Sequence, residues 1–144
     1  MNDARKKAMA QKIVKAVDGQ DLAGRTVGVL GLTFKPNTDD MRDAPSLSIV
    51  PALQAAGARV QAFDPEGHEA RAMLPGVEFK SDPYAVAEGA EALVFVTEWD
   101  QFRALDLDRI KQLMKNPVIV DLRNIYPPDD MRARGFAYTS IGRA

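Results

Sequence analysis

Residues 31–46, GLTFKPNTDDMRDAPS, crowd Lys35, Asn37, Thr38, Asp39, Asp40 and Arg42 into one stretch, after the apolar run 27–30 and before an amphipathic segment. A loop leaving a strand at the carboxyl edge of an α/β sheet is where such domains bind small molecules, because helix amino termini and backbone N–H groups converge there. Chain reversal alone needs only about two to six residues. The segment 33–44 is well beyond that, which points to a binding loop. Its cations, Lys35 and Arg42, differ in kind: arginine offers a planar fork to phosphate or carboxylate, lysine a point charge. In an irregular segment they can reach two separate anions, or they can pair with Asp39, Asp40 and Asp43 to hold the loop together. Residue chemistry leaves both readings open. Asp39 and Asp40, with cations on both sides, make a poor cage for a hard metal ion, and no metal site is expected.

A second polar group, 121–128 (DLRNIYPP), follows the apolar run 118–120 and delivers Arg123 and Asn124. If both runs are strands of one sheet, Arg123 emerges at the same edge as Lys35. Two loops that each supply a cation and an asparagine suit an anionic polar ligand between them. The competing reading is a salt-bridged loop without function.

The elements that must position these residues follow from periodicity. Residues 4–17 place Met9, Ile13, Ala16 and Val17 on one helical stripe, ended by Asp18 and Gly19. From Arg25 onward, short β-branched runs alternate with helical stretches, the pattern of βαβ units. Strands are expected over TVGVLG and ARVQAF and at 77–80, 92–97, 117–121 and 136–138. Helices are expected from Pro45 to Gly57 and near 66–73, 83–89, 100–114 and 127–133. Asp43 can cap the first of these, Pro45 suits its first turn, Gly57 closes it, and Pro51 should kink it. The runs 92–96 and 118–120 are apolar on both faces, as central parallel strands covered by helices must be. The fold class is therefore α/β, a Rossmann-like doubly wound parallel sheet of about six strands with flanking helices, preceded by an amino-terminal helix. The expected organisation is a helix and linker over 1–24 and one domain over 25–144.

Composition narrows the function classes. With 46% hydrophobic residues, 27% charged residues and a net charge of −1, nothing biases the chain towards nucleic acid or an anionic membrane. The basic face of 4–17 could suggest nucleic acid, but an exposed helical face is the expected reading. No apolar run approaches the roughly 20 residues of a membrane span, and a cytoplasmic location is the default expectation. The absence of cysteine removes disulfides, thiolate metal sites and a thiol nucleophile from these residues. His68, the one histidine, is assigned no role.

A Rossmann-like sheet invites a test for the dinucleotide fingerprint, whose three glycines allow a tight turn, approach of the pyrophosphate and close helix packing. Gly31 can be the first, but Thr33 and Pro36 occupy the second and third positions, so no self-sufficient nicotinamide site is expected. Asp64 ends the second strand where a ribose-binding acid would sit, and it reads as a turn-forming residue before Pro65. Trp99, at helical spacing from Phe102, is expected in the core.

Taken in order, GLTFKPNTDDMRDAPS, AFDP at 62–65, VTEWDQF at 96–102 and VDLRN at 120–124 resemble the carboxyl-terminal domain of the UDP-glucose/GDP-mannose dehydrogenase family, the UDP-glucose enzymes most of all. GDP-mannose and UDP-N-acetylmannosamine dehydrogenases are the sister groups. The resemblance implies an NAD-dependent oxidation of a sugar C6 alcohol to a carboxylate through a thioester on a cysteine. It also implies an amino-terminal domain that holds NAD and a central helical region that carries the cysteine and much of a homodimer contact. Neither the cysteine nor the NAD fingerprint is in this sequence, so the chain is expected to be the third domain of a longer protein and inactive alone, with no catalytic residue of its own. Carried over by motif, Phe34, Lys35 and Arg123 contact the sugar nucleotide, and Arg42 reaches across the cleft to NAD. The family often has Gly where Leu122 stands. Outside this family, a phospho-receiver on a flavodoxin-like sheet would need an acidic pair after the first strand, which ends here in GLTFK. An oligomer-forming module is the other alternative.

Overall fold

The structure, a computed structural model, describes residues 24–32, 46–55, 57–64, 76–97, 99–123 and 125–140. Six strands, β1 (Thr26–Leu30), β2 (Arg59–Phe63), β3 (Glu78–Phe79), β4 (Ala92–Phe95), β5 (Val118–Asp121) and β6 (Ala137–Ser140), form one sheet in the order β3-β2-β1-β4-β5-β6. Every pairing is parallel. The strand order reverses between β1 and β4, which opens a crevice at their carboxyl ends. Among the described residues, five helices flank the sheet: α1 (Ser46–Ala55), α2 (Pro83–Ala87), α3 (Asp100–Arg103), α4 (Leu107–Leu113) and α5 (Pro128–Ala133). The expected helices at 4–17 and 66–73 lie outside the described residues, as do Asp43 and Pro45.

Alternation along the strands divides the core between the two faces. Val27, Val29, Val60, Ala62, Val94, Val96 and Val120 join α1's Ile49, Val50 and Leu53 in one cluster. Leu30, Leu93, Phe95 and Ile119 point the other way, towards Val86, Phe102, Ile110 and Met131. All four residues of β4 are buried, which is why its sequence is apolar without alternation. Gly28 belongs to the second face: a Cβ there would come within 2.5 Å of Leu93 Cδ2 and 2.9 Å of the Val86 carbonyl oxygen. Only glycine lets α2 approach β1 so closely. Phe95 anchors the second cluster, with edge contacts to Phe102 at 5.9 Å and to Tyr126 at 5.3 Å.

Local signals end the helices where the sequence suggests, with two corrections. Gly57, at φ +97°, donates to Gln54 O at 2.9 Å, and Ala58 N donates to Leu53 O at 3.1 Å, which closes α1 as a Schellman turn. Pro51, expected to kink this helix, lies exposed within it. The single helix expected over 100–114 is two, because Asp106 is extended at φ −76°, ψ 97° and its Oδ1 accepts from Arg109 N at 3.2 Å. An aspartate gains more as an N-cap than as an interior helical residue. The helix near 83–89 stops at Ala87, where Glu88 turns extended, after an N-cap bond from Ala85 N to Asp82 Oδ1 at 2.9 Å.

Candidate functional site

The carboxyl ends of β1, β2, β4 and β5 are joined by side-chain contacts to backbone, and these fix where a ligand-binding group can stand. At β1 the chain turns at Gly31, whose φ is +91° and whose hypothetical Cβ would lie 2.6 Å from both the nitrogen and Cβ of Thr97. A side chain here would be strained and would push the β1 and β4 ends apart. Val96 N donates to Leu30 O at 2.9 Å and Gly31 N to Phe63 O at 2.9 Å, so the three strand ends hold one another before any loop begins.

Asp64 extends this grip. Its Oδ2 accepts from Leu32 N at 2.6 Å and from Trp99 Nε1 at 3.2 Å, and the residue is buried. The turn expected at Asp64 and Pro65 runs outside the described residues, but Asp64 has a long-range role as well: the carboxylate ties the β1, β2 and β4 ends. Both of these donors are protein groups on one oxygen, Oδ2, so the carboxylate has a structural role at the strand ends. With Thr33 and Pro36 where fingerprint glycines would be, the residues of this chain do not fit a dinucleotide cradle. Trp99 is core, as expected, and its N–H has the partner a buried indole requires.

Arg123 stands at the end of β5, half-buried, with its Nε 3.0 Å from Val96 O. The guanidinium therefore lies across the end of β4, beside the crevice at the β1/β4 reversal. Leu122, where the family often has Gly, donates from its N–H to Phe95 O at 3.0 Å and packs on the first core cluster, so that position accommodates a side chain. Phe34, Lys35, Arg42 and Asn124 lie outside the described residues. Of the expected ligand-contacting residues, Arg123 is the one the described structure locates.

Sequence reasoning missed what holds the Arg123 loop. Asp121 is fully buried, and four donors surround its carboxylate: Arg123 N to Oδ1 at 2.9 Å, and Ile125 N, Tyr126 N and Tyr138 Oη to Oδ2 at 2.7, 3.2 and 2.6 Å. The local signal was a strand-terminal aspartate two residues before the arginine, the arrangement of an Asx turn. The phenol donor comes from another strand and leaves no local mark. Tyr126 donates through its hydroxyl to Phe102 O, which joins the loop to α3. Burial first, and then the negative charge of Asp121, raise the Tyr126 hydroxyl well above the ordinary tyrosine pKa.

Beyond this loop a hollow of about 370 Å³ opens between α4 and α5. Its charges are engaged by the protein: Arg103 Nη1 donates to Ile125 O, and Arg134 bonds Asp130 and Asp108. The crevice side of Arg123 is the better candidate for a ligand.

Comparison with known proteins shows the family. The model of the UDP-glucose/GDP-mannose dehydrogenase family, UDP binding domain, matches residues 28–128. The chain belongs to this family. It is 56% identical over 144 residues to a UDP-glucose 6-dehydrogenase of Rhizobium meliloti, covering 99% of this chain and 33% of the relative. A Bacillus subtilis UDP-glucose 6-dehydrogenase is 48% identical over 122 residues, covering 83% of this chain and 26% of the relative. Among solved structures, a UDP-glucose dehydrogenase from the archaeon Pyrobaculum islandicum superposes with a TM-score of 0.76 at 32% identity, over 98% of this chain and 30% of that one. The chain thus spans about a third of the length of the family members it matches.

Proposed function

We propose that this chain is the nucleotide-sugar-binding domain of an NAD-dependent UDP-glucose 6-dehydrogenase, whose intact form converts UDP-glucose and two NAD+ into UDP-glucuronate and two NADH. The observation that carries the reading is Arg123, bonded across the end of β4 beside the β1/β4 crevice, in a chain that matches the family's UDP binding domain. Open α/β sheets take their ligands at that crevice. Arg123 would meet the anionic sugar nucleotide from the β5 side, and Phe34 and Lys35 from the loop after β1. Arg42 would extend to NAD held by another domain, because the residues here make no dinucleotide cradle of their own. NAD supplies the hydride acceptor when bound there, and this chain's part is to bind and orient the substrate. The nucleotide-sugar domain is taken as 25–144, with 1–24 as a helix joining it to the rest of a cytoplasmic homodimer that serves polysaccharide biosynthesis.

Arg123→Ala and Lys35→Ala each test the reading. Loss of one charge-assisted contact is expected to weaken UDP-glucose binding by about 1.5–3 kcal/mol. Equal affinity in the wild type and both variants, measured by calorimetry, would refute it.

A further inference from the structure

We propose that Asp121 and Tyr138 form a positioning pair that aims Arg123 at the ligand, an inference that rests on the reading of Arg123 as a ligand contact. Asp121 ends β5 on the same face as Ile119, and Tyr138 of β6 stands opposite Ile119 in the parallel register. From there the phenol reaches along the strand to Asp121 Oδ2 at 2.6 Å, with Tyr126 O at 3.1 Å. A phenol has one proton, and the nearer, anionic acceptor takes it. The carboxylate then has donors on both oxygens: Oδ1 fixes Arg123 N, while Oδ2 gathers Ile125 N, Tyr126 N and the phenol.

The consequence for Arg123 is geometric. Its backbone nitrogen is held by β5's own terminal carboxylate and its Nε by the Val96 carbonyl of β4, so two fixed points define the direction of the side chain. Asp121 carries no contact to the crevice in this arrangement, and it is completely buried. Its charge is kept inside the fold because the four donors compensate it, and a neutral amide could not accept from all of them. Asp121→Asn leaves one acceptor oxygen, so whichever way the amide turns, its NH2 faces a backbone N–H: that of Arg123, or those of Ile125 and Tyr126. Tyr138→Phe is milder, since it leaves the three backbone donors in place.

Two arms test the pair on the full chain, with thermal unfolding confirming a cooperative fold. In the first, the Arg123 Nε–H resonance, assigned by its disappearance in Arg123→Ala, is followed without ligand. Tyr138→Phe and Asp121→Asn are expected to move it towards the position of solvent-exposed arginines, and an unmoved resonance in the folded Tyr138→Phe variant overturns the proposal. In the second, UDP-glucose is titrated calorimetrically into single and double variants. Tyr138→Phe or Asp121→Asn should lower affinity, by about tenfold for the latter, and neither should lower it further once Arg123 is alanine. Equal losses with and without Arg123 overturn the positioning role. If Arg123→Ala itself leaves affinity unchanged, the ligand-contact reading falls, and the resonance still decides whether the pair orients the side chain.

Discussion

At the scale of single residues, buried polar groups at the sheet edge find their partners in the protein itself. Tyr126 shows how such a group reports on the fold. Its hydroxyl is raised above the ordinary tyrosine value of 10.0 by burial and by Asp121, and it donates to Phe102 O. The folded state therefore holds this proton longer than the unfolded chain. Its stabilising effect is fully present below about pH 10 and is lost as pH rises above that value towards the higher folded pKa. Alkaline unfolding followed by circular dichroism should show stability falling above pH 10, and Tyr126→Phe should make that fall shallower. An identical slope in the variant contradicts the assignment. Arg123 was legible in the sequence, because a cation just past an apolar strand run must emerge at the sheet edge. Asp64 and Asp121 were not, because their decisive partners lie far away: Leu32 and Trp99 are 32 and 35 residues from Asp64, and Tyr138 is 17 from Asp121.

Among the elements, strands were easier to read than helices. Runs such as 92–95 and 118–121 declare themselves by burial on both faces, and all six expected strands are present. The break between α3 and α4 was harder to see, since Phe102 and Leu105 before it and Leu107 and Ile110 after it keep the three-residue spacing of a helix, while Asp106 acts as a cap. Removing that cap by Asp106→Ala should cost about 1 kcal/mol in urea unfolding, and a loss near zero would mean that α4 starts without it. Gly31→Ala combines a positive φ with contacts of 2.6 Å to Thr97. It should destabilise the β1 turn by more than the roughly 1–2 kcal/mol that a left-handed backbone costs an L-residue, and an unchanged melting temperature would contradict the packing described there.

For the whole molecule, the sheet order and the contacts at its carboxyl edge give one consistent division of labour. The β3-β2-β1-β4-β5-β6 order is that of a dinucleotide-binding sheet, yet Asp64 is spent on holding strand ends and the fingerprint glycines are absent. Among the described residues, Arg123 is the expected ligand contact that stands at the crevice, held from β4 and β5. A chain of this kind, without cysteine and about a third the length of its relatives, is predicted to bind a nucleotide sugar and to show no NAD reduction alone. Spectrophotometric detection of NADH formed from UDP-glucose by this chain would refute that division. The most direct measurement is a parallel calorimetric titration with UDP-glucose, UDP and GDP-mannose, repeated on Arg123→Ala. Both uridine ligands are expected to bind in preference to GDP-mannose, and the substitution is expected to weaken them. GDP-mannose bound as tightly as UDP-glucose, or uridine binding untouched by the loss of Arg123, would contradict this.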